Sequence, residues 1–321
     1  MMADCFKANR TVPGWFGSGL ARIAVLCLLL THMVAGHART VNDGDDAARQ
    51  VDVVPGLRPS GLAERYGYVA GASVVRIPAA VTAIPDFCFA GIGGLRRVEF
   101  EPGSRCVSVG AYAFAECGEL EEVIMPAGIT QIKEGAFREA RSLRRLAVPQ
   151  GVTALPKEMC LRCGALEEVT LPKGLVKIGS FALAGCQRLK SIVMPSGVRE
   201  IGSNAFTGDE SLQEVRLPAN LTTLESYAFA GCTSLRRIVL PANSNLLGEL
   251  ILSDTPSLEE IVAASPVPPK FDCESFLLEP DDEAGYRRIR LVVPSAAAAV
   301  RYRSAHAWRL FRNITPAPPI R

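Results

Sequence analysis

Histidine is nearly missing from this chain. Three occur in 321 residues, and only His306 lies beyond residue 38. Ser-His-Asp and Cys-His catalysis both need a histidine beside a nucleophile, and His306 falls in a segment that reads as a terminal helix. The same scarcity argues against zinc. Cys160-Leu161-Arg162-Cys163 is a CxxC, but no second CxxC follows to complete a ligand set. Excess charge is missing too. The formal net charge is +2, and setting aside residues 1–38 leaves 32 basic and 32 acidic residues. A neutral chain has no electrostatic reason to bind nucleic acid. Long apolar runs are absent. The uncharged stretch Ile23 to Gly36 is short of the roughly 20 residues that span a bilayer.

That stretch follows Lys7, Arg10 and Arg22 and ends in Gly36-His37-Ala38, the basic, apolar and small-residue order of a secretory signal. Residues 1–38 are therefore expected to be a signal peptide, with a retained membrane anchor as the alternative. No integral span is expected in the mature chain. Lipidation at Cys27, inside the apolar run, stays open. Residues 39–55 are polar and read as a linker.

What the sequence has in abundance is one repeating unit. Leu95, Leu120, Leu143, Leu166, Leu189, Leu212, Leu235 and Leu258 recur at a first step of 25 residues and six steps of 23. A period of this size means one short unit stacked on copies of itself. After each leucine come an aliphatic residue three positions on and another two later, as in Leu212, Val215 and Leu217. That alternation reads as a strand, and a proline such as Pro218 ends it. A second short extended piece follows, then an Ala-Phe pair, as in Ala113-Phe114 or Ala228-Phe229. Asp86, Ser180, Ser203 and Ser226 precede this segment in N-cap style, so a short helical turn is expected there.

The fold class is thus an α/β repeat: a leucine-rich-repeat solenoid of about eight 23-residue units, with parallel strands and short helical turns, capped at both ends. Residues 56–264 hold an N-terminal cap and the repeats. Residues 265–314 form a C-terminal cap, with a strand Arg290 to Val293 and an alanine-rich helix. Residues 315–321 are a proline-rich, disordered tail.

The motifs Leu171-Pro172 through Ile178-Gly179 and Ile201-Gly202-Ser203-Asn204-Ala205-Phe206 resemble the bacterial leucine-rich repeats of the BspA-like, or treponemal, surface-antigen type. The closing segment is similar as well: Pro268-Pro269, Phe276, Val293-Pro294, Tyr302, Trp308 and Phe311-Arg312-Asn313-Ile314. The likeness covers residues 70–314. It departs at Met159-Cys160 and Ala182-Leu183, which stand where Ala-Phe is usual. The resemblance implies an exported protein, at the cell surface or in the periplasm, that attaches to proteins, including host extracellular-matrix or cell-surface proteins. No cofactor is expected. Fold alone does not fix function, so a periplasmic scaffold or assembly factor is an alternative, and a glycan-processing enzyme a remote one. Adjacent carboxylates such as Glu121-Glu122 exist for such chemistry. Their place in the repeat gives a better reason for them, and the chain is read as no enzyme.

That reason is a charge ladder. The two residues after each leucine run Arg96-Arg97, Glu121-Glu122, Arg144-Arg145, Glu167-Glu168, Lys190-Ser191, Gln213-Glu214, Arg236-Arg237 and Glu259-Glu260. Sign alternates between units about 4.8 Å apart, so a slip by one unit sets like charges together. Self-neutralisation argues against a polyanion site on these arginines. Beside the ladder runs a less polar row, expected to point outward on the inner curve of the solenoid. Ile124, Ala147, Thr170, Val193 and Val239 of this row, with Arg145 and Glu168 at its rim, are the candidate partner-binding residues. Cys160 replaces the inward Phe and Cys163 holds the inward small position, so both read as buried thiols. Cys163 and Cys186 stack one unit apart, near the Cα separation a disulfide allows, and a bond between them stays open.

Overall fold

The computed structural model describes Ala63 and residues 69–242, 246–271, 277–279 and 281–318. The expected signal peptide, linker and Cys27 lie outside these residues, as does most of the expected N-terminal cap before Val69.

The repeat folds as a stack of coils with parallel strands on two sides. On one side the long strands Val74–Ile77, Arg97–Phe100, Glu122–Val123, Arg145–Ala147 and Glu168–Thr170 pair in chain order. Farther along, Glu214–Arg216, Arg237–Leu240, Glu260–Ala263, Arg290–Val293 and Asn313–Pro316 do the same. On the other side, the two-residue strands Ala83–Ile84, Ser108–Val109 and Gln131–Ile132 form one short ladder. A second short ladder runs from Ala154–Leu155 to Lys270–Phe271. All eight repeat leucines are fully buried between the two sides. The single 25-residue step is absorbed at a corner. The Ser104 N–H donates to the Glu101 carbonyl in a turn that contains Gly103 at φ 76°. The extra residues fall between the two strand ladders, so neither loses register.

On the third side of each coil the expected helical turn forms by halves. Around Ala113-Phe114, the N–H groups of Ala113 and Ala115 donate three residues back, to Gly110 and Tyr112, as a tight helical turn would. The alternate N–H groups leave the coil. Tyr112, Phe114 and Glu116 donate to the carbonyls of Glu134, Ala136 and Arg138 in the next coil at 2.7–2.9 Å. The reason is in the backbone. Tyr112 and Glu116 have φ of 54° and 60°, and these left-handed residues turn alternate peptide planes along the stack. Each costs about 1–2 kcal/mol where it is not glycine, against a net gain near 1 kcal/mol for each hydrogen bond it helps to aim. The expected N-caps work between coils as well. Asp86 Oδ1 accepts from the Ala111 N–H at 2.8 Å, and Ser226 Oγ accepts from the Glu249 N–H at 3.2 Å.

Inside, Phe89, Phe114 and Phe137 stack with ring centroids 5.1 and 5.6 Å apart, and Phe206 stacks on Phe229 at 5.1 Å. Cys160 and Leu183 fill the column between them and are fully buried. The seven described cysteines are all buried and in no disulfide, so Cys163 and Cys186 are not joined. Cys117 and Cys163 each reach back to a carbonyl, of Phe89 and Phe137, at 3.0 Å. Burial pushes the Cys117 thiol up to about 12, far from the thiolate range that reactive cysteines need.

Asp209 takes the position that Cys117, Cys163, Cys186 and Cys232 hold in other coils, and it is fully buried. Its Oδ1 accepts from the Cys186 N–H at 2.8 Å, while Oδ2 has no partner among the described residues. Burial pushes its carboxyl well above the ordinary carboxylate range. A buried carboxylate with an unmet oxygen is costly, which favours the protonated form.

At the C-terminal end the stack continues beyond the expected eight units. Arg290–Val293 and Asn313–Pro316 add two rungs to the long-strand side. Thr315 and Pro316, expected in a disordered tail, lie in the last of these strands. The Ala317 N–H also donates to the Val293 carbonyl, and Pro316 is tolerated because it closes an edge strand. Helices α1 (Glu283–Arg288) and α2 (Ala296–Ser304) precede the two rungs in turn. Tyr302 meets Trp308 edge-on at 5.1 Å, and Tyr286 meets Phe311 at 5.0 Å. Their polar ends are satisfied: the Tyr302 hydroxyl donates to the Ser265 carbonyl and Trp308 Nε1 to that of Pro269.

Two measurements test this packing. Leu189→Ala should cost roughly 2–5 kcal/mol in urea unfolding, because it empties a closed core position. Arg145→Ala, on the surface, should cost under about 1 kcal/mol. Equal losses would put the repeat register in error. For Asp209 the folded pKa lies above the unfolded one. The stability it confers is full below the ordinary carboxylate pKa near 4 and is lost as pH rises through the folded value. Asp209→Asn should flatten that decline and stabilise the protein at pH 7 by about 1–3 kcal/mol. An unchanged pH profile in chemical denaturation would show that Asp209 is ionised in the fold.

Candidate protein-binding face

The long-strand side alternates inward and outward residues, and its register places the expected outward row. Val98, Leu146, Val169, Val215 and Ile238 point into the core. Between inward positions, Ile124 is 47% and Val193 85% exposed. Ala147 and Thr170 are exposed and Val239 is half-buried. Arg145 and Glu168 are exposed and directly paired in register.

These residues are not all brought together. Ile124, Ala147 and Arg145 line one open depression with a volume of about 350 Å³. Val123 and Met125 contribute to it, and Glu121, Glu122 and Arg144 complete its charged rim. Thr170, Val193, Val239 and Glu168 do not line it. The long-strand side is also interrupted. The unit at residues 190–194, expected to carry a strand, has only a single bridge, Ser191 to Glu214. Ser191 stands between Glu168 and Glu214, where the alternation calls for a cation. Val193 therefore projects from a break between two sheets.

The charge ladder forms in part. Arg97 reaches Glu122 at 3.2 Å and Glu99 at 2.9 Å, and Arg96 reaches Glu119 at 3.3 Å. Near the C-terminal end, Glu214, Arg237, Glu260 and Arg290 pair in succession, with Arg237 2.9 Å from Glu214 and 2.7 Å from Glu260. Burial would raise the Glu260 carboxyl, but hydrogen bonds from Arg237 and Arg290 hold it below its ordinary value. In the middle the pattern lapses. Among the described residues, Arg144, Arg145, Glu167, Glu168 and Lys190 make no ion pair within 4.0 Å.

Met125 and Glu122 line the depression without having been among the expected site residues. Met125 closes the strand of its unit and is half-buried. The available signal was a long, unbranched side chain where other units carry Val148, Leu171 or Leu217. Chemically, the depression offers an apolar floor and a charged rim. Among the described residues there is no group of three or more His, Cys, Asp or Glu placed to hold a metal. No described helix is long and apolar enough to cross a membrane.

A family model for the BspA type leucine rich repeat region matches residues 68–175 and 153–269, with six copies of the repeat. Several solved structures are similar at low identity. A leucine rich cell surface protein from Faecalibacterium prausnitzii is 20% identical, with 79% of this chain and 81% of that chain covered and a TM-score of 0.35. The pneumococcal vaccine antigen PcpA is 18% identical, with 77% and 80% covered and a TM-score of 0.39. The leucine rich repeat protein of T. pallidum is 22% identical, with 61% and 77% covered and a TM-score of 0.39. No curated protein sequence matches the chain.

Proposed function

The chain belongs to the BspA-type leucine-rich repeat family, and on that footing we propose that it is an exported adhesin that binds a host protein through its long-strand face. One observation carries this reading: Ile124 stands 47% exposed beside a depression of about 350 Å³ whose floor includes Ala147 and whose rim is charged. An aliphatic side chain held in water at the edge of a hollow gains by burial against a partner. Glu121, Glu122, Arg144 and Arg145 supply the polar rim that surrounds the centre of a protein contact. Arg144 and Arg145 make no ion pair with described residues, so both can meet carboxylates of a partner. Val193, 85% exposed, gives a second apolar contact farther along the same side. The partner class that fits is an extracellular-matrix or cell-surface protein of the host, and the site of action is the outer face of the cell. Proteinase treatment of intact cells separates this from a periplasmic scaffold, since only a surface protein would be cleaved.

The double variant Ile124→Asp with Val193→Asp tests the face. Both side chains lie outside the core, so unfolding free energy should change by less than about 0.5 kcal/mol. Binding of the purified protein to immobilised host extracellular-matrix proteins should fall at least about tenfold, because carboxylates would enter the desolvated centre of the contact. Unchanged binding by the folded double variant would move the contact to another face.

A further inference from the structure

A second depression lies on the other side of Arg144. It has a volume of about 400 Å³ and is lined by Arg141, Arg144 and Arg188, with Ser142, Gln187 and Glu121 beside them. The expected self-neutralisation of the arginines fails here. Glu121 is turned toward Arg96, 3.9 Å away. Arg141 is engaged by Glu139 at 2.7 Å. Arg144 and Arg188 make no ion pair among the described residues, and neither does nearby Glu167. Two guanidinium groups without an ion pair and one half-engaged thus share a single hollow. Elsewhere on this side Arg97, Arg237 and Arg290 are paired, while Arg145 and Arg236 make no ion pair among the described residues but do not line this hollow.

We propose that this hollow binds a tetrahedral oxyanion ester carried on a saccharide, a sulfated or phosphorylated sugar. Guanidinium forks present parallel donors that match such an oxyanion. The saccharide is favoured by the rest of the wall. Gln187 Nε2 donates to Glu210 at 3.0 Å, which leaves the Gln187 side-chain carbonyl to accept from a sugar hydroxyl. Ser142 offers a further hydroxyl. Ala165 and Gly164 are the lining residues without polar side-chain atoms, so an apolar peptide body gains little there. This hollow shares Glu121 and Arg144 with the apolar one at Ile124, but its other walls are different residues and it takes a different ligand.

Binding is measured by calorimetry with three probes: a sulfated heparin-derived hexasaccharide, the same hexasaccharide desulfated, and a phosphorylated mannan oligosaccharide. The sulfated or the phosphorylated probe should bind, and which one does identifies the source of the oxyanion. The desulfated probe should not. Arg144→Glu with Arg188→Glu should weaken binding at least about tenfold, and the milder Arg144→Gln with Arg188→Gln should weaken it in part. Arg105→Glu with Arg199→Glu makes the same change in net charge at exposed residues outside the hollow, and should change affinity less than about threefold. Ile124→Asp with Val193→Asp should leave sugar binding intact, which separates this proposal from the protein-binding one. The proposal is overturned if neither charged probe binds, if the desulfated probe binds equally well, or if the two arginine reversals weaken binding alike.

Discussion

Everything in this molecule depends on the hydrogen bonds that run from one coil to the next. A coil of 23 residues cannot close its own backbone groups or bury its own apolar side, so each coil is completed by its neighbours. Three kinds of ladder do this: the long strands, the two-residue strands, and the turn segments whose alternate N–H groups cross between coils. All of them demand the same spacing. That is why residues of unlike chemistry accept left-handed backbone at matching places, as Phe87, Tyr112, Glu158 and Tyr227 do. The backbone geometry is set by the stack and the side chain follows.

The same constraint explains which residues the interior accepts. A residue in the column under the turn meets the equivalent residue of the next coil, so phenylalanine stacks on phenylalanine and a thiol fits where the ring is absent. A cysteine there is compact and can donate weakly to a carbonyl. In the adjoining column of cysteines Asp209 is the exception, a carboxyl in a thiol's place, whose Oδ1 accepts from the Cys186 N–H and whose burial favours the protonated form. On the surface the constraint is looser. Charges in register do not all pair, and the gap in the middle of the ladder leaves Arg144 and Arg145 with no ion pair among the described residues.

Much of the fold is legible in the sequence. The leucine spacing sets the period, and the alternation around Val215 and Leu217 sets which residues face inward. Other features are hidden for identifiable reasons. An Ala-Phe pair three residues from a cysteine has the spacing of a helix and also of alternating turns, and spacing cannot separate the two. The recurring Gly185, Gly208 and Gly231, all at positive φ, are the sequence signal for turns. The break at residues 190–194 is visible as Ser191 in a charged row. Which arginines pair depends on side-chain geometry, so the basic hollow cannot be read from the row of charges. The clustering of Ile124, Ala147 and Arg145 follows from neighbouring rungs, whereas Val193 stands where the expected continuous sheet is interrupted.

The nearest-neighbour construction has a mechanical consequence. Tension that peels a terminal coil loads chiefly the bonds of that coil to the next, because no described strand ladder skips a rung and a side-chain pair such as Lys133 with Asp86 adds little across two. Rupture would then proceed one coil at a time at a modest, nearly level force. Each detached coil would find the intact stack still in place as a template for rejoining. At the C-terminal end Tyr302, Trp308 and Phe311 clamp the last rungs, so a pull there meets a stiffer fastening before peeling begins. A chain built this way can lengthen under load and dissipate it without losing the whole of its fold at once.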